Sequence, residues 1–309
     1  MLAKFLVLPC LLLSLGALAD EAASPFLIKP IGAGIYAAID GPEGKSGSNA
    51  GFVIGDDGVL VIDSFFTEEA AKALVAEIRK LTPKPIRFVV NTHYHIDHTG
   101  GDAVLRDAGA VIVAHRNVQR WVHSENIHLF GDRITDARRD QIEHLASPDL
   151  VTDKELTIWL GLRRIEVRTI EGHTGGDLLI AVPDAHVLFC GDMLWRHASP
   201  NLIDATVAKW IVSLRRLQHD PDAQETVFVP GHGDVATLKD VAEFQDYLST
   251  LSALTAESRG AGLEGDALVE AVSTNMRPRF GDWAYFTAAV PREIRYMDAE
   301  LAGNKRIPQ

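Results

Sequence analysis

The most informative stretch of the sequence reads Asn91-Thr92-His93-Tyr94-His95-Ile96-Asp97-His98-Thr99-Gly100-Gly101. Residues 86–90 precede it, and their apolar, β-branched character predicts a buried strand, so the stretch follows a strand end. In an extended or turning backbone, an i, i+2 spacing puts His93 and His95 on one side. Asp97 and His98 leave that line and would serve a second metal. Imidazole and carboxylate together suit zinc, and also iron or manganese.

Three further segments place a polar residue and a glycine just after a β-type run. They are Gly172-His173-Thr174 after residues 165–170, Gly191-Asp192 after residues 187–190, and Gly231-His232-Gly233 after residues 226–229. Glycine beside the polar residue permits close approach of the backbone to a ligand. The donors then suffice for two metals. The first can be held by His93, His95 and His173, the second by Asp97, His98 and His232, with Asp192 free to bridge both.

The pattern of predicted strands and helices divides the chain into two similar halves. In the first half, residues 50–63 form a β-hairpin pattern. Residues 67–81 then predict a helix with acidic residues first, basic residues last and an apolar stripe that includes Leu81. A second β-rich half lies between residues 156 and 229, and the chain is helical from residue 238 onward. Two such halves pack sheet to sheet with helices outside, so we expect an α/β, four-layer αββα sandwich.

The predicted domain spans residues 20–309, with a core at about 34–235 and a helical C-terminal extension at about 236–309. Two segments fall outside the regular pattern. Residues 20–30 are expected to form an irregular lead-in, and the polar segment 117–152 is expected to form helices. The composition of that second segment indicates an insertion that lies over one end of the sheet.

The N-terminal residues 1–19 predict a secretory signal peptide cleaved near Ala19/Asp20, because Lys4 precedes an apolar run that ends in a small-x-small pattern. The run is shorter than the ~20 residues of a membrane span, so we expect no stable membrane insertion and a periplasmic or secreted protein. Cleavage leaves Cys190 as the only cysteine, which excludes an internal disulfide and predicts a buried thiol. The net charge of −12 argues against nucleic acid as a partner.

The sequence resembles the metallo-β-lactamase superfamily in the order of four motifs: His93-x-His95-x-Asp97-His98, Gly172-His173-Thr174, Gly191-Asp192 and Gly231-His232-Gly233. The resemblance extends from about residue 34 to residue 233 and includes a strand end of the Asp63 type. It implies the αββα sandwich, a two-metal site at the sheet edges and the seven metal ligands assigned above. Many true β-lactamases carry cysteine or serine at the position of Asp192. An aspartate there more closely resembles the glyoxalase II, lactonase and general hydrolase branches.

These features predict an exported zinc hydrolase with two Zn²⁺ per subunit and a small-molecule substrate. A metal-bridging hydroxide is expected to attack the carbonyl group of the substrate. The predicted catalytic residues are Asp192, which shares the bridging position, and Asp97, which steers the water or shuttles a proton. Asp63 is a candidate for fixing the metal loop by hydrogen bonds, with a role as a simple strand-end turn residue as the alternative.

Several activities are compatible with this site. Predicted export favours β-lactam hydrolysis, and with it antibiotic resistance, over hydrolysis of a glutathione thioester, which is cytosolic. Hydrolysis of a lactone or another ester is a close alternative. A persulfide dioxygenase is a further alternative, for which the resemblance implies one iron at His93, His173 and Asp192. A nuclease is disfavoured by the acidic charge and the signal peptide. A non-catalytic metal-binding module is disfavoured because none of the seven ligands is missing. The sequence predicts nothing about the oligomeric state.

Overall fold

The computed structural model describes residues 24–308, so the predicted signal peptide lies outside the described residues. Within this range the chain forms two β-sheets with helices on their outer faces. The strands are β1 (Phe26–Gly32), β2 (Ile35–Asp40), β3 (Ala50–Ile54), β4 (Val59–Ile62), β5 (Ile86–Val90), β6 (Val111–His115), β7 (Leu150–Thr152), β8 (Glu155–Leu160), β9 (Arg163–Ile170), β10 (Asp177–Val182), β11 (Val187–Trp195) and β12 (Val227–His232). The helices are α1 (Glu68–Leu81), α2 (Ile96–Thr99), α3 (Asp102–Asp107), α4 (Arg116–Phe130), α5 (Asp136–Glu143), α6 (Val207–Gln218), α7 (Leu238–Gly260), α8 (Gly265–Phe280) and α9 (Phe286–Leu301).

The two sheets are both mixed. The first has the order β1-β2-β3-β4-β5-β6-β7, antiparallel as far as β4 and parallel from β4 to β7. The second has the order β12-β11-β10-β9-β8, with β11 and β12 parallel and the other neighbours antiparallel. Side chains that follow the parallel strands of both sheets therefore meet at one edge of the sandwich.

Three apolar layers hold the sandwich together. In the centre, Leu60 of the first sheet and Ile180 of the second belong to one buried cluster. Leu74 of α1 packs on the outer face of the first sheet, and Trp210 of α6 and Phe244 of α7 pack on the outer face of the second. Each such side chain contributes about 1.5–3 kcal/mol on full burial. The predicted four-layer αββα sandwich with a helical C-terminal extension is confirmed.

Helix α1 begins and ends as its sequence predicts, but its stripe is shorter. The Thr67 hydroxyl accepts a hydrogen bond from the backbone N–H of Ala70 and caps the helix. Leu74 and Ile78 are buried, whereas Leu81 is 47% exposed. The inclusion of Leu81 in the apolar stripe was wrong, because the last turn projects beyond the face that meets the sheet.

The expectation of an irregular lead-in at residues 20–30 was wrong from Phe26 onward. Strand β1 pairs antiparallel with β2, and Phe26 is buried against Phe65 with ring centroids 4.8 Å apart. Lys29 and Pro30 interrupt the apolar alternation, which hides the strand in the sequence. Proline is tolerated here because β1 lies at the edge of its sheet. The sheet thus begins before the expected core boundary near residue 34.

Strands β11 and β12 extend further than the sequence predicts. The expected ends were residues 190 and 229, but the strands run to Trp195 and His232. The pairing register shifts around Gly191, whose φ of +49° favours glycine. A methyl group at Gly191 would collide with the Thr92 side chain. Asp192 therefore lies within an irregular strand, not in a loop after it.

The segment 117–152 is mostly helical, as predicted, but it also supplies a strand. Helices α4 and α5 are followed by β7, which pairs parallel with β6 at the edge of the first sheet. Strand β7 is three residues long, and its Leu150 and Val151 are exposed, so it lacks the buried run that marks a strand. None of the helices found within residues 24–308 combines the length and the apolar character that a membrane crossing needs.

Candidate metal centre

All seven predicted ligands lie at one edge of the sandwich. They come from the segment after β5, which includes Asp97 and His98 of α2, from the loop after β9, from the interior of β11 and from the end of β12. Their donor atoms form two groups in which every atom lies within 4.8 Å of the others. The first group is His93, His95, His173 and Asp192, and the second is Asp97, His98 and His232. The structure thus brings together the residues that the sequence assigned to two metals.

The first group is almost completely buried. His173 Nε2 lies 3.1 Å from His95 Nδ1 and 3.3 Å from Asp192 Oδ2. His93 Nε2 lies 3.9 Å from the same carboxylate oxygen. Two imidazole nitrogens therefore face Oδ2 of Asp192, and Nδ1 of His95 lies beside Nε2 of His173, so the group can form a three-histidine site with an added carboxylate.

The second group surrounds the other oxygen of the same carboxylate. Asp192 Oδ1 lies 3.0 Å from His98 Nε2 and 3.4 Å from His232 Nε2. Asp97 Oδ2 lies 3.4 Å from His232 Nε2 and 3.8 Å from His98 Nε2. Because its two oxygens face different groups, Asp192 is placed to connect two cations.

The polar atoms of this centre fit cations better than they fit one another. His93 Nε2, His98 Nε2, His232 Nε2 and Asp192 Oδ1 are buried and make no hydrogen bond. His98 Nε2 and Asp192 Oδ1 lie 3.0 Å apart, yet neither has a hydrogen-bond partner. A buried polar atom without a partner costs about 1–3 kcal/mol. Metal ions at the centre would remove this cost at all four atoms at once.

Burial and charge act in opposite directions on these histidines. Burial holds the pKa of His93 well below its ordinary value, and it lowers the pKa of His173 to about 3. Both rings are thus neutral and offer lone pairs, as metal ligands must. For His98, burial is outweighed by the carboxylates of Asp192, Asp63 and Asp97, so its pKa lies well above the ordinary value. A cation at this position would replace the proton that these carboxylates favour.

Asp63 fixes the metal loop from behind. Its carboxylate accepts hydrogen bonds from the Thr92 backbone N–H at 2.7 Å and from the Thr92 hydroxyl at 2.8 Å. Its Oδ2 also lies 2.8 Å from His98 Nδ1, which leaves Nε2 of that ring facing the centre. Asp63 has a φ of +58°, a conformation rare for residues other than glycine that often marks a functional position. Its geometry matches the predicted positioning role.

Asp204 holds a second ligand and was missed by the sequence reasoning. Its Oδ2 accepts a hydrogen bond from the Tyr94 hydroxyl at 2.8 Å and lies 3.3 Å from His95 Nε2. With Nε2 facing a carboxylate, His95 presents Nδ1 to the first group. Asp204 lies in a loop before α6, with no glycine or histidine beside it. The sequence therefore carried no local pattern to single it out.

Two asparagines also hold the centre and were missed. Asn126 of α4 accepts from the Ile96 backbone N–H at 2.9 Å and donates to the Tyr94 carbonyl at 2.7 Å. Asn49 donates through its side-chain amide to the carbonyls of Pro230 and Gly233, at 2.8 and 2.7 Å. Helix α4 and the start of β3 therefore set the positions of the ligand-bearing loops. A lone asparagine in a helix or before a strand gives no sign of such a role.

Five aromatic side chains that could line the pocket, Tyr94, His115, Trp121, Trp195 and His197, have different positions. Trp195 stacks on the ring of His232, with centroids 3.9 Å apart. Tyr94 and Trp121 are buried behind the metal loop and pack edge to face. The remaining two are peripheral: His115 caps α4 and His197 is exposed. Cys190 is buried, as expected, and burial raises the pKa of its thiol.

Several characterised proteins have similar sequences over part of their length. A linear primary-alkylsulfatase from Pseudomonas sp. is 23% identical over 70% of this chain and 48% of its own length. Hydroxyacylglutathione hydrolases from Gloeobacter violaceus and Rhodospirillum rubrum are 26% and 28% identical over 54% and 48% of this chain. These alignments cover 60% and 48% of the two hydrolases. The chain thus spans about half to three fifths of these relatives.

Solved structures share the fold at low sequence identity. A metallo-beta-lactamase from Pontibacter korlensis superimposes with a TM-score of 0.60 at 21% identity, over 72% of this chain and 99% of that one. A metallo-beta-lactamase from Erythrobacter litoralis gives a TM-score of 0.59 at 20% identity, over 73% and 96%. The sequence profile described as the metallo-beta-lactamase superfamily matches residues 44–232, which include all seven residues of the centre. The chain therefore belongs to the metallo-beta-lactamase superfamily.

Proposed function

We propose that this protein is a two-metal hydrolase that cleaves an activated acyl bond of a small molecule, with zinc as the metal. One observation carries the proposal: the two oxygens of Asp192 face two separate groups of buried donors. Bound metal would supply a water of lowered pKa and polarise the carbonyl group of the substrate. Because that chemistry provides the nucleophile, no serine or cysteine is needed, and buried Cys190 has no part in it.

The side chains have distinct tasks in this proposal. Asp192 would serve as a ligand in both donor groups, because its two oxygens face different groups. Asp97 has a more exposed carboxylate, with a side chain 25% exposed against 2% for Asp192, so it can accept a proton from water and release it to solvent. Trp195 covers one face of His232 and shields that ligand from water. Asp63 and Asp204 hold the rings of His98 and His95 in the required tautomers.

The second donor group supports two metals over one. A single iron at His93, His173 and Asp192 would leave His98 Nε2 and His232 Nε2 buried without partners. The cost of those atoms, about 1–3 kcal/mol each, disfavours the mononuclear dioxygenase as an alternative. Metal analysis of the purified protein tests this directly, with two zinc ions per chain expected.

Thioesters and esters are the first substrate class to test. The hydroxyacylglutathione hydrolases are relatives at 26–28% identity, and by their name they hydrolyse acyl thioesters of glutathione. An aspartate at position 192 also agrees with the resemblance to the glyoxalase II branch. His232 and His98 outweigh burial and hold the pKa of Asp192 well below its ordinary value, so this carboxylate stays ionised. An ionised carboxylate is consistent with a leaving group that departs as an anion, such as a thiolate or an alkoxide.

A β-lactam is the second candidate substrate. It is favoured by the predicted signal peptide, since an exported enzyme meets β-lactams outside the cytoplasm. Glutathione thioesters, in contrast, are found inside the cytoplasm. The likeness to solved metallo-beta-lactamases adds nothing to this choice, because at 20–21% identity it speaks only to the fold.

The test uses the zinc-loaded protein lacking residues 1–19, with S-lactoylglutathione, a 4-nitrophenyl ester and a chromogenic β-lactam as parallel substrates. We expect a kcat/KM of about 10⁴ M⁻¹s⁻¹ or more for one of them, with loss of turnover on chelation. The variant Asp192→Ala should lose turnover while its circular dichroism spectrum stays that of the wild type. Full activity in Asp192→Ala would contradict the two-metal mechanism.

A further inference from the structure

The metal centre opens to solvent on the side of Asp97. The side chain of Asp97 is 25% exposed and that of His232 is 10% exposed, whereas each of the other five ligands is 3% exposed or less. The side of the centre at Asp97 and His232 is therefore the one that a substrate can approach. The residues that surround this carboxylate form the rim of the site.

Phe66 lies on that rim. A β-carbon placed on Gly47 would stand 2.7 Å from Phe66 Cβ and 3.6 Å from Asp97 Cβ, so Phe66 and Asp97 flank the same glycine. The backbone N–H of Phe66 donates to the Ser46 carbonyl at 2.9 Å. The Gln141 side chain donates to the Phe66 carbonyl at 2.9 Å. Helix α5 of the segment 117–152 is thereby attached to the rim.

Arg138 extends from α5 onto this rim. Its guanidinium carbon lies 4.1 Å from the ring centroid of Phe66 and 5.2 Å from that of Phe130. One of its N–H groups donates to Gln141. Within residues 24–308 no carboxylate forms an ion pair with it, and burial lowers its pKa. The chain has 42 acidic residues, yet this partly buried guanidinium lacks a counter-charge in that range. It is therefore available to bind an anion from outside the chain.

The geometry of this arginine suits recognition. Two phenyl rings restrict the plane of the guanidinium, so little conformational entropy remains to be lost when it binds a ligand. The single bond to Gln141 leaves most of its N–H donors available for a planar oxyanion. Its neighbour Arg139 is exposed on the same helix and provides a matched control for any general effect of charge.

We propose that Arg138 binds a negatively charged group of the substrate, a carboxylate carried beside the acyl bond that is cleaved. Arg138 is then a specificity-determining residue, supplied by the segment that the sequence marked as an insertion. The proposal rests on the proposed hydrolase function, since it places the anion in a substrate that the metal centre cleaves.

Binding without turnover gives the first test. A series of ω-mercapto acids with two to five carbons, each paired with its neutral amide, is titrated into the zinc-loaded protein by calorimetry. The thiol of both partners binds zinc, so their difference reports the carboxylate alone. In the wild type we expect at least one acid to bind about tenfold more tightly than its amide. This preference should disappear in Arg138→Ala, weaken in Arg138→Lys and persist in Arg139→Ala.

Turnover gives the second test. The substrates are 4-nitrophenyl butyrate and mono-4-nitrophenyl succinate, which differ chiefly in the terminal carboxylate. Arg138→Ala should raise KM for the succinate ester about tenfold with little change in kcat, and should leave both constants for the butyrate ester unchanged. Melting curves establish that α5 remains folded in the variants.

The outcomes separate the two proposals. If both thiols of each pair bind equally to the wild type, or if Arg138→Ala keeps the preference for acids, the assignment of Arg138 is overturned while the hydrolase stands. An equal loss for both esters also overturns it, because a structural role would affect them alike. If the zinc-loaded protein binds no thiol and cleaves no ester, the proposed function fails, and the role of Arg138 fails with it.

Discussion

Replacement of Glu293 by glutamine should change how the stability of the protein depends on pH. Glu293 lies in α9 and is 1% exposed. The Tyr247 hydroxyl donates to its Oε2, while its Oε1 is buried without a hydrogen bond. Burial raises the pKa of this carboxyl to about 8. The acid therefore stays protonated in the folded protein at neutral pH.

The size of the effect follows from the two pKa values. An unfolded glutamate has a pKa of 4.5, so between pH 4.5 and about pH 8 the folded state holds one proton that the unfolded state has lost. Across this window the free energy of unfolding falls by about 1.4 kcal/mol per pH unit, or about 5 kcal/mol in total. The contribution of Glu293 is thus fully favourable below pH 4.5 and lost by about pH 8. A glutamine cannot titrate and keeps an acceptor for Tyr247.

Urea unfolding of the zinc-loaded wild type and Glu293→Gln at pH 5, 6.5 and 8 tests this reasoning. The difference between the two proteins cancels the titration of the metal centre, which they share. We expect Glu293→Gln to gain stability relative to the wild type by several kcal/mol between pH 5 and pH 8. Glu257→Gln, at an exposed position of α7, should change the pH dependence little. Parallel curves for the wild type and Glu293→Gln would refute a protonated, buried Glu293.

Three further predictions concern the metal centre. Asp63→Ala removes the acceptor shared by Thr92 and His98, so zinc affinity should fall about 10- to 100-fold in a chelator competition; unchanged affinity would contradict its positioning role. Gly231→Ala places a methyl group against Asp192 Oδ1 and should lower kcat and zinc occupancy together, whereas normal occupancy with normal kcat would show that the strand end adapts. Removal of zinc by dialysis against a chelator should lower the melting temperature, because bound metal stabilises the folded state, and added zinc should restore it; a melting temperature insensitive to zinc would argue against metal in the buried centre.

The clustering of the seven candidate ligands was predictable because the chemistry and the topology coincide in the sequence. His93, His95, Asp97 and His98 follow one strand, and His173, Asp192 and His232 each follow a β-type run beside a glycine. Strand ends at one edge of a sandwich meet in space, so the order of motifs was enough to place them. The central sheets were predictable for the same reason, since their buried strands are continuous apolar runs.

Other features depend on contacts that leave no local pattern. Asp204 contacts His95, and Asn126 bonds the backbone of Ile96, each across more than 25 residues of sequence. Nothing beside either residue differs from an ordinary loop or helix. Strand β1 was hidden in the sequence by Pro30, because proline usually prevents strand pairing. On an edge strand, however, a proline is compatible with pairing. The extension of β11 through Asp192 depends on the irregular register at Gly191, which only the partner strand reveals.

The distribution of these contacts bears on how substrate choice is determined. The seven ligands are held by buried partners such as Asp63, Asp204 and Asn49, so a change at the centre disturbs several hydrogen bonds at once. The rim beside Asp97 includes Phe66, whose carbonyl accepts a hydrogen bond from Gln141 of α5, and Ser48, whose hydroxyl donates to the Asp97 carbonyl. If the proposed function and the role of Arg138 hold, the centre sets the reaction and the rim sets which substrate can approach it. Substitutions at the rim should therefore change KM and substrate preference far more than zinc affinity, whereas substitutions behind the ligands should change zinc affinity for every substrate alike.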